Sequence, residues 1–334
     1  MAFKKTLIIL ITIPLIFSTC KKEVSTNTAT NINSGNNNVK SLLTYVPDDN
    51  FENYLEVNGL GNGIAGDDSV FTHNIDTLSY LYINSQNISD LTGIEDFTAL
   101  TFLSCASNQL DSLDISNNTS LESLYCYKNQ LTMLDLSANI ALTNLYCYLN
   151  QLTSLDVSTN TALTVLECWY NQLTSLELAS NTSLTILMCG GNQLKILNIS
   201  TNSALNYLHC STNQLDSLDV SNNTALDSLI CYNNQLTSLD LSNNTNLIAL
   251  NCWYNQLISL DVSQNTILNS LYCVENQLTS LNVGNGNNTN MLNTNSFSSL
   301  NNPNLSCIIV DDAAWSTYNW TNIDLNQYFS EDCP

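Results

Sequence analysis

Apolar residues recur along most of this chain with a period of 21 residues. Nine cysteines lie at that interval: Cys105, Cys126, Cys147, Cys168, Cys189, Cys210, Cys231, Cys252 and Cys273. Each period holds two similar halves, Leu-x-x-Leu-x-Cys-x-x-Asn and Leu-x-x-Leu-Asp-Leu-Ser-x-Asn. Both are apolar at i, i+3 and i+5, with Asn at i+8. The alternating Leu-x-Cys or Leu-x-Leu core predicts a short strand, and the asparagine predicts a corner. No continuous helical stripe fits this spacing.

The template resembles the leucine-rich-repeat family, in its nested 21-residue class from bacterial proteins, over residues 78–283. The first coil has a 22-residue step from Leu78 to Leu100 and resembles the repeat of internalin-type surface proteins. The resemblance implies a mainly β repeat solenoid with few helices and a parallel sheet on its concave side. Both halves carry the same spacing of apolar residues, so the sequence leaves open which half forms that sheet.

Both ends of such a solenoid expose its core and need caps. We assign residues 43–77 to an N-terminal cap, in which residues 45–55 predict a short amphipathic helix that begins near Asp48 or Asp49. The segment Thr44–Glu52 resembles the cap region of surface leucine-rich-repeat proteins from Bacteroidetes-type bacteria. Residues 284–334 break the period and form the expected C-terminal cap, which resembles that of the same family.

The first residues read as an export signal, because Lys4 and Lys5 precede a short apolar run that ends in Phe-Ser-Thr-Cys20. This ending resembles the lipobox of bacterial lipoproteins, which implies acylation of Cys20 after removal of residues 1–20. The alternative is an ordinary signal peptide that is cut near Ser18 or Thr19. Residues 21–42 are polar and predict a disordered tether. We therefore expect an exported, lipid-anchored protein at the bacterial outer membrane or cell surface.

Two cysteines beyond the export signal, Cys307 and Cys333, lie outside the periodic row. In an oxidising compartment we expect them to form a disulfide; the alternative is two unpaired thiols. The nine periodic cysteines occupy an inward position equivalent to a leucine and predict buried thiols. Disulfides between coils and a metal array are the alternatives. Two rows of asparagines, Asn108 to Asn276 and Asn118 to Asn265, predict inward amides that satisfy backbone groups at the corners.

Residues beside the inward cysteines must point outward, and many of them are aromatic. These candidate ligand-binding residues are Tyr125, Tyr127, Tyr146, Tyr148, Trp169, Tyr170, Tyr232, Trp253, Tyr254 and Tyr272. Exposed aromatic clusters are typical of binding surfaces. The alternative is cross-strand stacking that only stabilises the sheet. Gly190, Gly191 and Ser211 interrupt this stripe near its middle.

A second outward row is acidic and consists of Asp114, Asp135, Asp156, Glu177, Asp219, Asp240 and Asp261. It predicts a solvated face, with calcium between adjacent carboxylates or a basic partner as alternatives. All seven basic residues are lysines, and the 29 acidic residues give a net charge of −22 for the whole chain. No basic face exists to bind phosphates, so we expect no nucleic-acid partner.

Enzymatic equipment is lacking, since His73 and His209 are the only histidines and no catalytic motif is present. The sequence therefore predicts a cell-surface binding protein, not an enzyme, that recognises a protein or glycan and acts in adhesion. The alternative is a structural envelope protein or a calcium-dependent surface-layer component without a discrete ligand. We expect no cofactor other than calcium. The oligomeric state and the ligand are not predicted.

Overall fold

The computed structural model of the chain describes residues 43–291 and 296–334. The predicted signal peptide, the lipidation site Cys20 and the tether lie outside the described residues. The described part is a parallel-sheet β-solenoid with few helices, as the repeat predicts. In these residues, no helix combines the length and apolar character that crossing a membrane would require.

The described chain begins with a small N-terminal unit. Strands β1 (Leu43–Tyr45) and β2 (Ser69–Phe71) pair antiparallel and flank helix α1 (Asp49–Val57), and helix α2 (Thr72–Ile75) follows. The Asp48 carboxylate accepts hydrogen bonds from the backbone N–H groups of Asn50 and Phe51, which makes it the N-cap. The predicted helix and its start are thus confirmed. Phe51 is fully buried and covers the first coil of the solenoid.

Short strands then follow once or twice per coil. They are β3 (Tyr80–Tyr82), β4 (Phe102–Ser104), β5 (Ser123–Tyr125), β6 (Asn144–Tyr146), β7 (Val165–Glu167), β8 (Ile186–Met188), β9 (Tyr207–His209), β10 (Ser228–Ile230), β11 (Ala249–Asn251), β12 (Ser259–Asp261), β13 (Ser270–Tyr272), β14 (Ser280–Asn282), β15 (Phe297–Ser298), β16 (Cys307–Ile309) and β17 (Tyr328–Ser330). Two 3₁₀ turns, Ile94–Asp96 and Asn288–Asn290, and helix α3 (Ala313–Asn319) complete the elements of the described residues.

The long sheet answers the question that the sequence left open. Its 11 parallel strands, β3 to β11 with β13 and β15, all come from the cysteine half of the repeat or its equivalent at the two ends. Each central leucine pairs with the leucine one coil away, as Leu124 does with Leu145. The backbone bonds continue past the strands, since Cys126 N donates to Tyr146 O at 2.9 Å.

The strand prediction for the leucine half is wrong in most coils. In the described residues this half forms strands only at β12 and β14, which continue through β16 and β17 as a four-stranded parallel sheet. There the Val262 N–H donates to Asn282 O of the next coil at 2.9 Å. The equivalent N–H groups of earlier described coils make no such bond, so no ladder forms. An alternating pattern of apolar residues does not by itself bring the backbones of neighbouring coils close enough to pair as strands.

The core is a continuous column of leucines and cysteines. All nine periodic cysteines are free, fully buried thiols, as predicted. Burial raises the pKa of the Cys105 and Cys273 thiols to about 12, so they remain protonated and unreactive. Fully burying one leucine stabilises the fold by roughly 1.5–3 kcal/mol.

The two asparagine rows are buried at the corners, but they bond differently. In the first row, Asn171 donates to the Cys147 and Cys168 carbonyls at 3.1 and 3.0 Å and accepts from Leu152 N at 3.0 Å. In the second row, Asn181 donates to two carbonyls at 2.9 Å, and its Oδ1 has no partner. The prediction that amides supply both donor and acceptor is therefore confirmed only for the first row.

The C-terminal end is closed by aromatic packing and one disulfide. Phe297 of the last long-sheet strand stacks on Trp320 with ring centroids 4.3 Å apart, and Trp320 is almost fully buried. Cys307 and Cys333 are disulfide-bonded with Cα atoms 5.9 Å apart, which confirms the predicted pair. The disulfide fixes the end of the chain to strand β16.

Candidate functional site

The outward side of the long sheet, which we call the sheet face, carries the aromatic residues. In each coil the central leucine and the cysteine point into the core, so the residue between them and the residue after the cysteine point outward. Leu124 and Cys126 are buried while Tyr125 and Tyr127 are partly exposed. The repeat therefore places all ten predicted aromatic residues on this face or at its edge.

These ten side chains form two rows and an edge rather than one stripe. The row between leucine and cysteine holds Tyr125 and Tyr146, whose rings stack at 4.2 Å. The row after the cysteine holds Tyr127, Tyr148 and Trp169, which stack at 4.4 and 4.2 Å with interplanar angles of 6° and 12°. Such contacts contribute about 0.5–1.5 kcal/mol each beyond burial. Stacking between coils thus uses the ring faces and leaves mainly their edges exposed.

Two of the predicted residues lie at the turn that follows each strand. Tyr170 and Tyr254 have φ of 50° and 54°, the left-handed conformation that recurs at this position in every coil of the cysteine row. Their side chains are 53% and 56% exposed, more than any other predicted aromatic residue. They border the sheet face and are accessible to a macromolecule.

A second, looser group lies toward the C-terminal end. Tyr232 and Trp253 meet edge to face at 5.6 Å, and Trp253 is 39% exposed. Tyr272 lies one coil further along the row between leucine and cysteine, and it is half-buried. This group offers more ring surface to a partner than the stacked residues do.

Sequence reasoning missed five residues of the sheet face. Tyr80 and Phe102 stack at 4.1 Å and extend the aromatic surface toward the N-terminus, and Tyr82 lies beside them, half-exposed. Glu167 and His209 replace tyrosine in the row between leucine and cysteine. The signal was present, because all five occupy outward strand positions on one side or the other of the central leucine. Tyr80, Tyr82 and Phe102 do not flank a periodic cysteine, and Glu167 and His209 are not tyrosine, tryptophan or phenylalanine, so the pattern of aromatic neighbours of the cysteines excludes all five.

Glu167 and His209 are the two ionisable groups held inside the aromatic surface. Burial raises the pKa of the Glu167 carboxyl, although Trp169 Nε1 donates to it at 3.2 Å. Burial lowers the pKa of His209 to about 4, so its ring is neutral near neutral pH. His209 Nε2 lies 2.6 Å from Ser211 Oγ, but its buried Nδ1 has no partner in the described residues. A hydrolytic triad needs a third group at that nitrogen.

The acidic row lies in the leucine half and has a local structural role. The Asp156 carboxylate accepts a hydrogen bond from the Ser158 N–H at 2.9 Å, and the other aspartates of the row repeat this bond. Asn198 makes the same bond at 3.1 Å in place of an acid. Hydrogen bonds from the hydroxyl group and the backbone N–H of Ser158 hold the pKa of the Asp156 carboxyl below its usual range. The aspartates of this row thus stabilise the turns that follow them.

Among the described residues, a cluster of three acidic side chains outside this row is compact enough to hold a metal ion. Oxygen atoms of Asp49, Glu52 and Asp68 in the N-terminal unit lie within 4.8 Å of one another. The Glu52 carboxylate already accepts bonds from the Gly66 and Asp67 N–H groups, all at 3.1 Å. Glu52 therefore has a role in fixing the loop after helix α1.

The fold and its cysteine row define a leucine-rich-repeat solenoid, and comparison with solved structures agrees. The functional domain of InlJ from Listeria monocytogenes, described as including a cysteine ladder, is 32% identical with a TM-score of 0.62. The match covers 80% of this chain and 66% of that one. The chain therefore has the leucine-rich-repeat fold, and its structural neighbours include internalin-type leucine-rich-repeat proteins.

Two further structures show the same fold at lower identity. The internalin InlF of Listeria monocytogenes is 20% identical with a TM-score of 0.56, over 89% of this chain and 99% of that one. A leucine-rich-repeat protein of Leptospira interrogans is 22% identical with a TM-score of 0.54, over 76% and 69% of the two chains. Neither a protein-family model nor a curated protein matches the sequence.

Proposed function

We propose that this chain is a cell-surface binding protein that recognises a protein ligand with its sheet face and acts in adhesion. The observation that carries the proposal is the concentration of aromatic side chains on one face of a rigid sheet. Aromatic residues provide large contact areas at a low cost in conformational entropy, and they are enriched among the residues that dominate binding energy. A glycan ligand is the alternative occupant of the same face.

The direct test compares two double variants of the full chain. Trp253→Ala with Tyr254→Ala removes exposed rings from the sheet face. Met133→Ala with Ile196→Ala removes apolar side chains that are 70% and 76% exposed in the leucine half. Each protein is applied to surface extracts of host and neighbouring cells and to a glycan array. We expect only the first variant to lose binding, with both melting temperatures retained.

A second candidate function is purely structural, in the organisation of the cell envelope. The observation that favours it is the close stacking of Tyr127, Tyr148 and Trp169. Under this alternative, Tyr148→Ala lowers the melting temperature, and no sheet-face variant changes binding to any extract or glycan. Retention of all binding by the Trp253 and Tyr254 variant would contradict the recognition proposal and favour the structural one.

We also propose that the chain is exported and anchored through a lipid on Cys20. The support is the lipobox-like sequence that ends in that cysteine. A Cys20→Ser variant should move from the membrane fraction to the soluble fraction and lose incorporation of labelled palmitate. Ser25→Ala is the matched control, because it changes a nearby side chain that is not predicted to carry a lipid. Membrane association that survives in Cys20→Ser would refute the anchor.

A further inference from the structure

The row of rings that follows the cysteines stops abruptly after Trp169. Tyr148 of the preceding coil covers one face of Trp169 at 4.2 Å. The next coil carries Gly190 at the equivalent position, so among the described residues no ring stacks on the opposite face. A Cβ atom at Gly190 would lie 3.0 Å from Ser211 O and 3.1 Å from His209 Nε2. Glycine at position 190 therefore avoids a close contact with Ser211 and His209 of the next coil, and it places no ring on Trp169.

Tyr170 packs against the same indole ring from the turn that follows the strand. Its ring meets that of Trp169 at 64° with centroids 5.3 Å apart. It also lies across Gly191, where a Cβ atom would come within 2.5 Å of Tyr170 Cδ1. Glycine at position 191 thus leaves room for the Tyr170 ring. We call Trp169, Tyr170, Gly190 and Gly191 the aromatic corner.

Glu167 places an uncompensated carboxylate next to the aromatic corner. Its Oε2 accepts from Trp169 Nε1 at 3.2 Å, which ties the acid to the indole edge. Lys128 and Lys195 are the only basic residues other than histidine in the described chain. In the described residues, neither lysine forms an ion pair or a hydrogen bond with Glu167. A partly desolvated carboxylate without a cation is costly, and a cation from outside would relieve that cost.

The charge of the whole chain favours the same kind of occupant. All acidic residues except Glu23 belong to the described part, together with those two lysines. His209 lies two coils from Glu167 and is neutral near neutral pH, because burial lowers its pKa to about 4. Nothing on this part of the sheet face would therefore repel a cation, whereas an anionic ligand would meet a strongly negative protein.

We propose that the aromatic corner and Glu167 form a subsite for an arginine side chain presented by a protein partner. A guanidinium group can lie flat on the face of Trp169 that Tyr148 does not cover, while its N–H groups donate to the Glu167 carboxylate. Lysine lacks the planar group needed to do both. The subsite names the chemistry of the ligand and rests on the proposed recognition function.

The test uses an arginine tetrapeptide as the probe and the full chain at physiological ionic strength. Peptides of citrulline and lysine of the same length are the comparison ligands, and binding is followed by calorimetry. Glu167→Gln should weaken arginine binding about tenfold, which corresponds to one charge-assisted contact. Trp169→Ala should weaken it to a similar extent. Citrulline should not bind, and lysine should bind more weakly than arginine.

Asp156→Asn is the matched control, because it removes one negative charge in the leucine half. Its amide oxygen can still accept the hydrogen bond from Ser158 N–H, as Asn198 does from Ser200. If this variant weakens arginine binding as much as Glu167→Gln, attraction is general and the subsite is refuted. Melting temperatures verify that each variant is folded. Trp169→Phe provides a second ring variant, and it should retain part of the binding even if Trp169→Ala does not fold.

The outcomes separate this inference from the recognition proposal. Loss of cell-extract binding in the Trp253 and Tyr254 variant, with no arginine binding by the wild type, overturns the subsite alone. Arginine binding that depends on Glu167, with cell-extract binding unchanged in every sheet-face variant, supports the subsite and overturns the recognition proposal. Binding of an uncharged glycan that needs Trp169 but not Glu167 overturns the arginine assignment.

Discussion

The two asparagine rows make a quantitative prediction, because equivalent substitutions in them should have unequal effects on stability. We consider Asn192→Ala. Asn192 Oδ1 accepts the N–H of the fully buried Leu173 at 3.0 Å, and its Nδ2 donates to the Cys168 and Cys189 carbonyls at 3.1 and 3.0 Å. Both carbonyls also accept from other asparagines of the row. The substitution therefore fully orphans only the Leu173 N–H.

The expected cost follows from these contacts. An unsatisfied buried N–H costs about 1–3 kcal/mol, and each of the two lost hydrogen bonds to carbonyls contributes about 0.5–1.5 kcal/mol. Asn192→Ala should therefore lower the free energy of unfolding by roughly 2–6 kcal/mol. The lower limit corresponds to a water molecule that replaces the amide.

The comparison is Asn181→Ala in the second row. The Val157 and Asn160 carbonyls lose one donor each, but they still accept backbone N–H groups at 3.0 and 3.1 Å. The substitution also removes the buried Asn181 Oδ1, which has no hydrogen-bond partner among the described residues. The two lost hydrogen bonds cost about 1–3 kcal/mol, and removal of the unsatisfied buried oxygen offsets most of that cost. The substitution should therefore lower the free energy of unfolding by about 0–2 kcal/mol.

Urea denaturation of wild type and both variants, followed by circular dichroism, measures the difference. Both changes remove the same atoms, so the loss of side-chain volume is matched. We expect Asn192→Ala to be the less stable variant by about 2 kcal/mol or more. Equal midpoints, or a lower midpoint for Asn181→Ala, would refute the assignment of unequal roles to the two rows.

Three further predictions concern the disulfide, the buried histidine and the acidic row. Cys333→Ser opens the loop closed by the Cys307–Cys333 disulfide, whose sequence separation is 26 residues, and should lower the free energy of unfolding by about 3.5 kcal/mol relative to the oxidised wild type. Urea denaturation measures this difference, and the reduced wild type should match the variant. The pKa of His209 is lowered from 6.5 to about 4 in the folded state. The unfolded chain therefore takes up the proton first as the pH falls, and wild type should lose about 3 kcal/mol more than His209→Gln between pH 7 and pH 4; parallel pH profiles of the two melting curves would contradict this. Asp156→Asn should keep the hydrogen bond from Ser158 N–H and leave the melting temperature unchanged, whereas Asp156→Ala should lower the melting temperature. Equal effects of the two substitutions would show that the charge of Asp156 matters and the turn bond does not.

The sequence determines much of this fold, because equivalent positions of successive repeats occupy equivalent environments. Once Cys126 and Cys147 are known to be 21 residues apart on equivalent coils, the inward position of one implies that of all the others. The same reasoning places Tyr127 and Tyr148 outward on neighbouring strands. The N-cap at Asp48 and the pair Cys307–Cys333 also followed from local chemistry and from elimination.

The tertiary structure alone decided what depends on distances between coils. Both halves of the repeat carry the same apolar spacing, but only the cysteine half brings backbones together for a long ladder. Two other features likewise depend on groups one coil away. They are the Asn181 Oδ1, which has no partner among the described residues, and the face of Trp169 on which no ring of these residues stacks. A periodic sequence specifies which way each side chain points. The spacing and rotation of successive coils decide which groups then meet, and these arise from the packing of the whole stack.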